Sequence, residues 1–133
     1  MKKYLARSVL LAAVLGFSAI AQAAPISLSD RIEQLGEMKY IKLTGGRTAQ
    51  RNGLLAVQLE MQNQDKGDQQ LYYRFRWFDD AGFVVGGEEV WKPLKFIGLQ
   101  KQIIDTIAPV PNAVDFKMEV NSPENTGALP AAK

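Results

Sequence analysis

Three observations predict an all-β protein. Leu54 to Gln62 and Val114 to Val120 alternate apolar and polar residues with the period of two that a half-buried strand requires. Turn-forming residues recur about every ten positions, with Asn52-Gly53 as the strongest hairpin signal among them. No long stretch carries the apolar repeat of an amphipathic helix. Together they predict an antiparallel β-sandwich of six to seven short strands, with a small closed barrel as the alternative.

In chain order, the first feature is an address. Lys2, Lys3 and Arg7 form a positive n-region, and Val9–Ile20 is an apolar run of twelve residues. Ala21-Gln22-Ala23 then puts small residues at the two positions a signal peptidase reads. Residues 1–23 read as a secretory signal peptide cut after Ala23. The competing reading, an uncleaved membrane anchor, meets an apolar run short of the roughly 18–20 residues that span a bilayer, followed at once by Pro25. Cleavage takes 23 of 133 residues and leaves 110, one small domain. It removes three of the 16 basic residues and none of the 14 acidic ones, leaving 13 against 14. The mature chain therefore lacks the basic footprint of a nucleic-acid binder.

There is no cysteine. That excludes disulfides in an oxidising compartment and excludes bacterial lipidation at a first mature cysteine. The chain reads as a soluble periplasmic protein of a Gram-negative bacterium, with no stable membrane insertion once the signal is cut. Without disulfides its stability must come from its own core.

Residues 24–36 are a lead-in to the domain. Within it, Asp30 and Glu33 have capping-box spacing and Gly36 could end a helix of one or two turns; an extended lead-in fits equally well. The β domain is expected over residues 37–121. Met38, Tyr40, Ile41 and Leu43 begin it, with a bulge expected near Ile41 and a strand loosened at Gly45-Gly46. After the Asn52-Gly53 turn, Leu55, Val57, Leu59 and Met61 point inward. Asn63 to Gln70 reads as a polar loop.

Gln70 to Trp91 is the densest aromatic run and reads as one β-hairpin about Asp79-Asp80-Ala81-Gly82. Alternation puts Leu71, Tyr73, Phe75 and Trp77 on one face and Tyr72, Arg74, Arg76 and Phe78 on the other. The first face is the core face, because two unpaired guanidiniums cannot be buried cheaply. Pairing of Phe78 with Phe83 would set Val84 and Gly86 on the face of Trp77. Pro93 is expected to break the run, and Leu94 to Leu99 to connect onward. Gln102 to Ala108 is a strand with Ile104 inward. From residue 122 to 133 the chain is small, polar and Pro-containing, and reads as a disordered tail.

The chemistry is bounded by what is missing. With no His and no Cys, histidine-dependent triads, cysteine nucleophiles and His/Cys zinc sites are excluded. Gly86-Gly87 reads as a bulge, not a phosphate cradle. Glu88 and Glu89 are adjacent and point to opposite faces of a strand, so they cannot act as a pair. Asp79-Asp80 reads as turn chemistry and lacks the oxygens of a calcium loop. No enzyme activity, no cofactor and no metal are expected.

Tyr72, Arg74, Arg76 and Trp91 remain as a candidate partner-binding surface, since Tyr, Arg and Trp are favoured at interfaces; Trp91, beside Pro93, reads equally as a partly exposed anchor or a core plug. The plainer reading has the arginines covering apolar surface with their stems and pairing with Glu89 or another nearby carboxylate. The expected function is a periplasmic module that binds another envelope protein; the alternative is a small-ligand or glycan-binding domain. The oligomeric state stays open, with the outer face of the hairpin or a free strand edge as routes to a dimer.

Asn52-Gly53-Leu54-Leu55, Val57-Gln58-Leu59, Asn63, Tyr73-Arg74-Phe75-Arg76-Trp77-Phe78-Asp79, Gly82 and Trp91-Lys92-Pro93-Leu94 together resemble the YcfL family of small Gram-negative envelope proteins. The resemblance covers roughly Met38 to Val120. It implies an immunoglobulin-like β-sandwich, no catalytic residues to carry over, and a cell-envelope role near peptidoglycan synthesis. Many members look like lipoproteins. This chain has no cysteine after its signal, which favours a free periplasmic form.

Overall fold

The computed structural model describes residues 27–123. The signal-peptide segment 1–23 and residues 124–133 of the expected tail lie outside the described residues. A 3-10 turn (Leu28–Arg31) leads into eight strands: β1 (Ile32–Gln34), β2 (Ile41–Arg51), β3 (Leu54–Asn63), β4 (Gln69–Phe78), β5 (Val84–Val85), β6 (Lys92–Phe96), β7 (Lys101–Ile107) and β8 (Asp115–Asn121). They form two sheets. One has the order β1-β8-β4-β5, with β6 also paired to β4; the other has the order β2-β3-β7. The fold is a β-sandwich, and the barrel alternative falls because the two sheets remain separate ladders. Every pairing is antiparallel except β1 with β8, which is parallel.

The alternation is realised. Leu55, Val57, Leu59 and Met61 of β3 face Leu71, Phe75 and Trp77 of β4 and Phe116, Met118 and Val120 of β8, all buried. The aromatic side chains pack on one another: Phe75 and Trp77 stack at 5.7 Å between centroids, and Phe116 lies 6.1 Å from Phe75. Each such fully buried side chain contributes roughly 1.5–3 kcal/mol over leaving it in water. Ile104 faces inward while Ile103 and Ile107 face out, as the acidic Asp105 required.

The Asn52-Gly53 turn joins β2 and β3 with both residues at positive φ, 51° and 77°. That is the two-residue geometry whose twist matches a hairpin. It sets Arg51 opposite Leu54, so β2 runs straight through the glycines to the turn. The bulge lies at Thr44, between Leu43 and Gly45, not near Ile41.

Four local expectations are corrected. The lead-in joins a 3-10 turn to a strand: Ser27, not Asp30, precedes the turn, without a side-chain cap, and Ile32–Gln34 add an edge strand to β8. The return strand of the aromatic hairpin is only two residues long, and Phe78 pairs with Val84, so Val85 rather than Val84 shares the core side with Trp77. Gly86 and Gly87, at φ 81° and 80°, turn the chain out of the sheet, and it returns at Lys92. Pro93 does not break the run; it sits inside β6 opposite Tyr72, tolerated because β6 is an edge strand that can spare an amide donor. Finally, order extends past Asn121: Asn121 and Ser122 are buried, so the packed domain includes the first residue assigned to the tail.

Candidate functional site

The outer face of the larger sheet is built on β4. Cross-strand pairing sets Tyr72 beside Asn121, Arg74 beside Glu119, Arg76 beside Lys117 and Phe78 beside Asp115. Glu33 of β1 flanks Glu119 on the far side. On the other flank Pro93 lies against Tyr72 and Val84 against Phe78. Between these two flanking residues the chain makes its excursion from Gly86 to Trp91.

Glu119 is the anchor of this face. Its side chain is only 6% exposed, and both arginines converge on it. Arg74 donates from Nε to Glu119 Oε2 at 2.5 Å and from an Nη to Glu88 Oε1 at 2.6 Å. Arg76 reaches Glu119 Oε1 at 3.3 Å. The Glu119 hydrogen bond pushes the Arg74 guanidinium above its ordinary value; burial opposes this, and Glu88 adds to it. The Arg74 guanidinium also lies 4.7 Å from the Trp91 ring centroid, and that of Arg76 lies 5.7 Å from Phe78. The result is a row of half-buried Tyr72, Arg74, Arg76, Phe78 and Trp91 in which two cations meet two carboxylates.

The structure thus brings the four expected residues onto one surface. It also fills the plainer reading with different partners: the arginines pair with Glu119 and Glu88, not Glu89. Glu89 turns the other way. Its carboxylate accepts the backbone N–H of Phe75 at 2.9 Å and the indole N–H of Trp77 at 3.4 Å, with Lys92 Nζ 3.7 Å away. It takes the place of the missing strand between β5 and β6, satisfying an amide that the excursion would otherwise orphan. Burial, followed by the charge of Glu89, pushes the Tyr73 hydroxyl above its usual range. The roles of Glu119 and Glu89 escaped sequence reasoning because they depend on which strands neighbour β4; sequence reasoning named Glu89 only as a possible arginine partner, and the opposite directions of Glu88 and Glu89 were the one hint.

Buried Asn63 was also missed. Its amide donates to the carbonyls of Gly67 and Ile97, and its oxygen accepts the N–H of Asp65. It ties the polar loop to the turn after β6, and its inward position at the end of the β3 alternation was the available signal. Among the described residues no group of three or more acidic side chains has the arrangement of a metal site.

The profile of a family described as proteins of unknown function, DUF1425, matches residues 29–122, the whole of the sandwich and the face just described. The chain belongs to the DUF1425 family. Among solved structures it is similar to a DUF1425 family member from Shewanella sp. pv-4, with 26% identity and a TM-score of 0.56 over 70% of this chain and 81% of that one. Campylobacter jejuni cj0090 shares the fold at 19% identity, with a TM-score of 0.62 over 70% of this chain and 98% of that one. No curated protein matches the chain.

Within this DUF1425 sandwich the two sheets differ in how they spend charge. On the outer face of the larger sheet the arginines are held by carboxylates of the same chain. On the smaller sheet Arg47 Nε donates to Gln58 Oε1, and Gln58 donates in turn to Asp105, both at 2.8 Å.

Proposed function

We propose that this DUF1425 protein is an exported, non-catalytic envelope protein of the YcfL kind. Its proposed role is to bind another envelope protein through Tyr72, Arg74, Arg76 and Trp91. The observation that carries the reading is the fixed Arg74: two carboxylates hold its guanidinium, and Trp91 lies against it. Ordering such side chains normally costs about 0.5–1.5 kcal/mol each on association. Here the fold has already ordered them. Arg, Trp and Tyr are the residues that dominate measured binding energies, and the row offers all three beside half-buried Phe78.

Because the charges of Arg74 and Arg76 are satisfied within the chain, binding draws on aromatic and apolar area more than on net charge. Export is supported by the n-region, apolar run and small-residue cleavage site of residues 1–23.

Capture from an envelope extract tests the reading. The protein is purified from the periplasm of cells expressing the full chain, and its mass is expected to begin at Ala24. Wild type is expected to retain an envelope protein that Trp91→Ala and Tyr72→Ala both lose. An identical captured set for wild type and both variants overturns the assignment of this face.

A further inference from the structure

Every sheet edge among the described residues is blunted except that of β7. In the larger sheet the edges are β1, of three residues, β5, of two, and β6, which carries Pro93. In the smaller sheet β2 is bulged at Thr44, and its charges, Lys42, Arg47 and Arg51, are all positive. Short length, a proline, a bulge and charge of one sign are the devices that keep a free edge from pairing. β7 has none of them. Residues 101–107 pair with β3 without a register shift, contain no proline, and carry one charge of each sign, Lys101 and Asp105. Ile103 and Ile107 between and beyond them are 58% and 52% exposed.

The hairpin fixes which main-chain groups of β7 are free. The two-residue Asn52-Gly53 turn makes Arg51 and Leu54 a hydrogen-bonded pair, so alternate residues of β3 from Leu54 onward bond to β2. Leu55, Val57, Leu59 and Met61 bond on the other side. Leu55 accepts the N–H of Ala108 at 2.8 Å, and the other three stand opposite Thr106, Ile104 and Gln102. The N–H and C=O groups of Lys101, Ile103 and Asp105 therefore point to the far edge of β7, where no strand lies among the described residues.

We infer that β7 pairs antiparallel with β7 of a second copy of the chain, about a two-fold axis at Ile103, joining the two smaller sheets into one. Ile103 exchanges both main-chain hydrogen bonds with Ile103 of the second copy. Lys101 stands opposite Asp105 of the second copy, and Asp105 opposite its Lys101. Ile107 falls beside the turn of the second copy that carries Leu99, itself 54% exposed. The strand thus reads the same from either end about Ile103, which is the self-complementarity an isologous dimer needs. Main-chain bonds make the attachment. The charges add little energy, because Lys101 already lies 3.3 Å from Glu60 and Asp105 already accepts from Gln58 within one chain, and exposed pairs contribute about 1 kcal/mol or less. Their effect is on register: an axis at Lys101 or at Asp105 sets like charges opposite each other.

The contact is short. Residues 101–105 span about 13 Å at a rise of about 3.3 Å per residue, less than a standard interface of roughly 800 Å² per partner requires. The dimer is therefore weak and concentration-dependent.

Sedimentation equilibrium of the exported protein over a range of concentrations, with amide hydrogen exchange at the two ends of that range, tests this. Wild type dimerises reversibly, and the Ile103 and Asp105 amides, open in the monomer, become protected in the dimer while that of Thr48 on the β2 edge does not. Ile103→Pro removes an amide that the monomer leaves unbonded and abolishes dimerisation. Lys101→Asp sets carboxylates opposite each other and Asp105→Lys sets ammonium groups opposite each other, each twice per dimer, weakening association by about tenfold. An equimolar mixture of these two variants restores both pairings and recovers the dimer. Thermal unfolding checks that all three variants fold. The inference is overturned if wild type stays monomeric up to its solubility limit, or if it dimerises with exchange at Ile103 and Asp105 unchanged. It is equally overturned if the folded charge variants dimerise as wild type does, or if those amides are protected only when a captured envelope protein is bound, which places a different strand on this edge.

Discussion

Glu119 shows how much a single side chain decides. A carboxylate this buried is costly unless paired, and it is paired twice. Removing it by Glu119→Ala leaves Arg74, whose side chain is only 20% exposed, with Glu88 alone. The expected loss is about 2–3 kcal/mol in denaturant unfolding, below the full cost of breaking a buried pair because Arg76 is half in solvent. A double-mutant cycle is expected to give a larger coupling for Arg74 with Glu119 than for Arg76 with Glu119. Tyr73 gives a pH prediction. Burial and then the Glu89 charge raise its folded value above the ordinary 10.0, so the folded state holds the proton more tightly than the unfolded state. Stability from this group is full below pH 10.0 and falls as pH rises through the folded value. Unfolding followed against pH is expected to show an alkaline decline that Tyr73→Phe reduces.

Among elements, the break between β5 and β6 is the most instructive. Glu89 stands in for a strand by accepting the Phe75 amide. Glu89→Ala orphans that amide and is expected to cost about 1–3 kcal/mol and to speed hydrogen exchange at Phe75. Glu89→Gln keeps an acceptor oxygen and costs less. The two glycines that open the break make a second comparison. Both have positive φ, but a Cβ on Gly86 would lie 2.6 Å from Pro109 Cγ, while one on Gly87 meets nothing within 4 Å. Gly86→Ala is therefore expected to lower the melting temperature more than Gly87→Ala, which carries backbone strain alone. The break also marks the limit of what the sequence reveals. The strands β3, β4, β7 and β8 and their inward faces were legible because burial on one face imposes a period of two. The early end of β5 and the strand at Pro93 were not. Both depend on β4 having an edge partner that leaves and returns, a tertiary fact that local pattern does not encode. The same limit hid the parallel β1, a strand of three residues too short to show a period.

At the scale of the whole molecule, the sandwich separates two surfaces. Tyr72, Arg74 and Arg76 were legible as one outward face from alternation alone, but the place of Trp91 beside them and the partners of the arginines were not. Glu119 is 45 residues from Arg74 and meets it only because β8 pairs with β4. That pairing changes the character of the face. Read from sequence, Arg74 and Arg76 either face a partner or pair with Glu89 or another nearby carboxylate; in the fold they pair with Glu119 and Glu88 and lie against Phe78 and Trp91. Binding through this face should therefore rest on Trp91 and be little affected by salt, since screening acts on unpaired exposed charges. The most direct measurement is the affinity of the exported protein for the envelope protein it captures, compared between wild type and Trp91→Ala at low and high salt. A central aromatic anchor of this kind is expected to cost at least about 2 kcal/mol when truncated, roughly thirtyfold in affinity, with wild-type binding nearly unchanged by salt. Equal affinity for wild type and Trp91→Ala, or wild-type binding that collapses as salt is raised, would contradict the assignment.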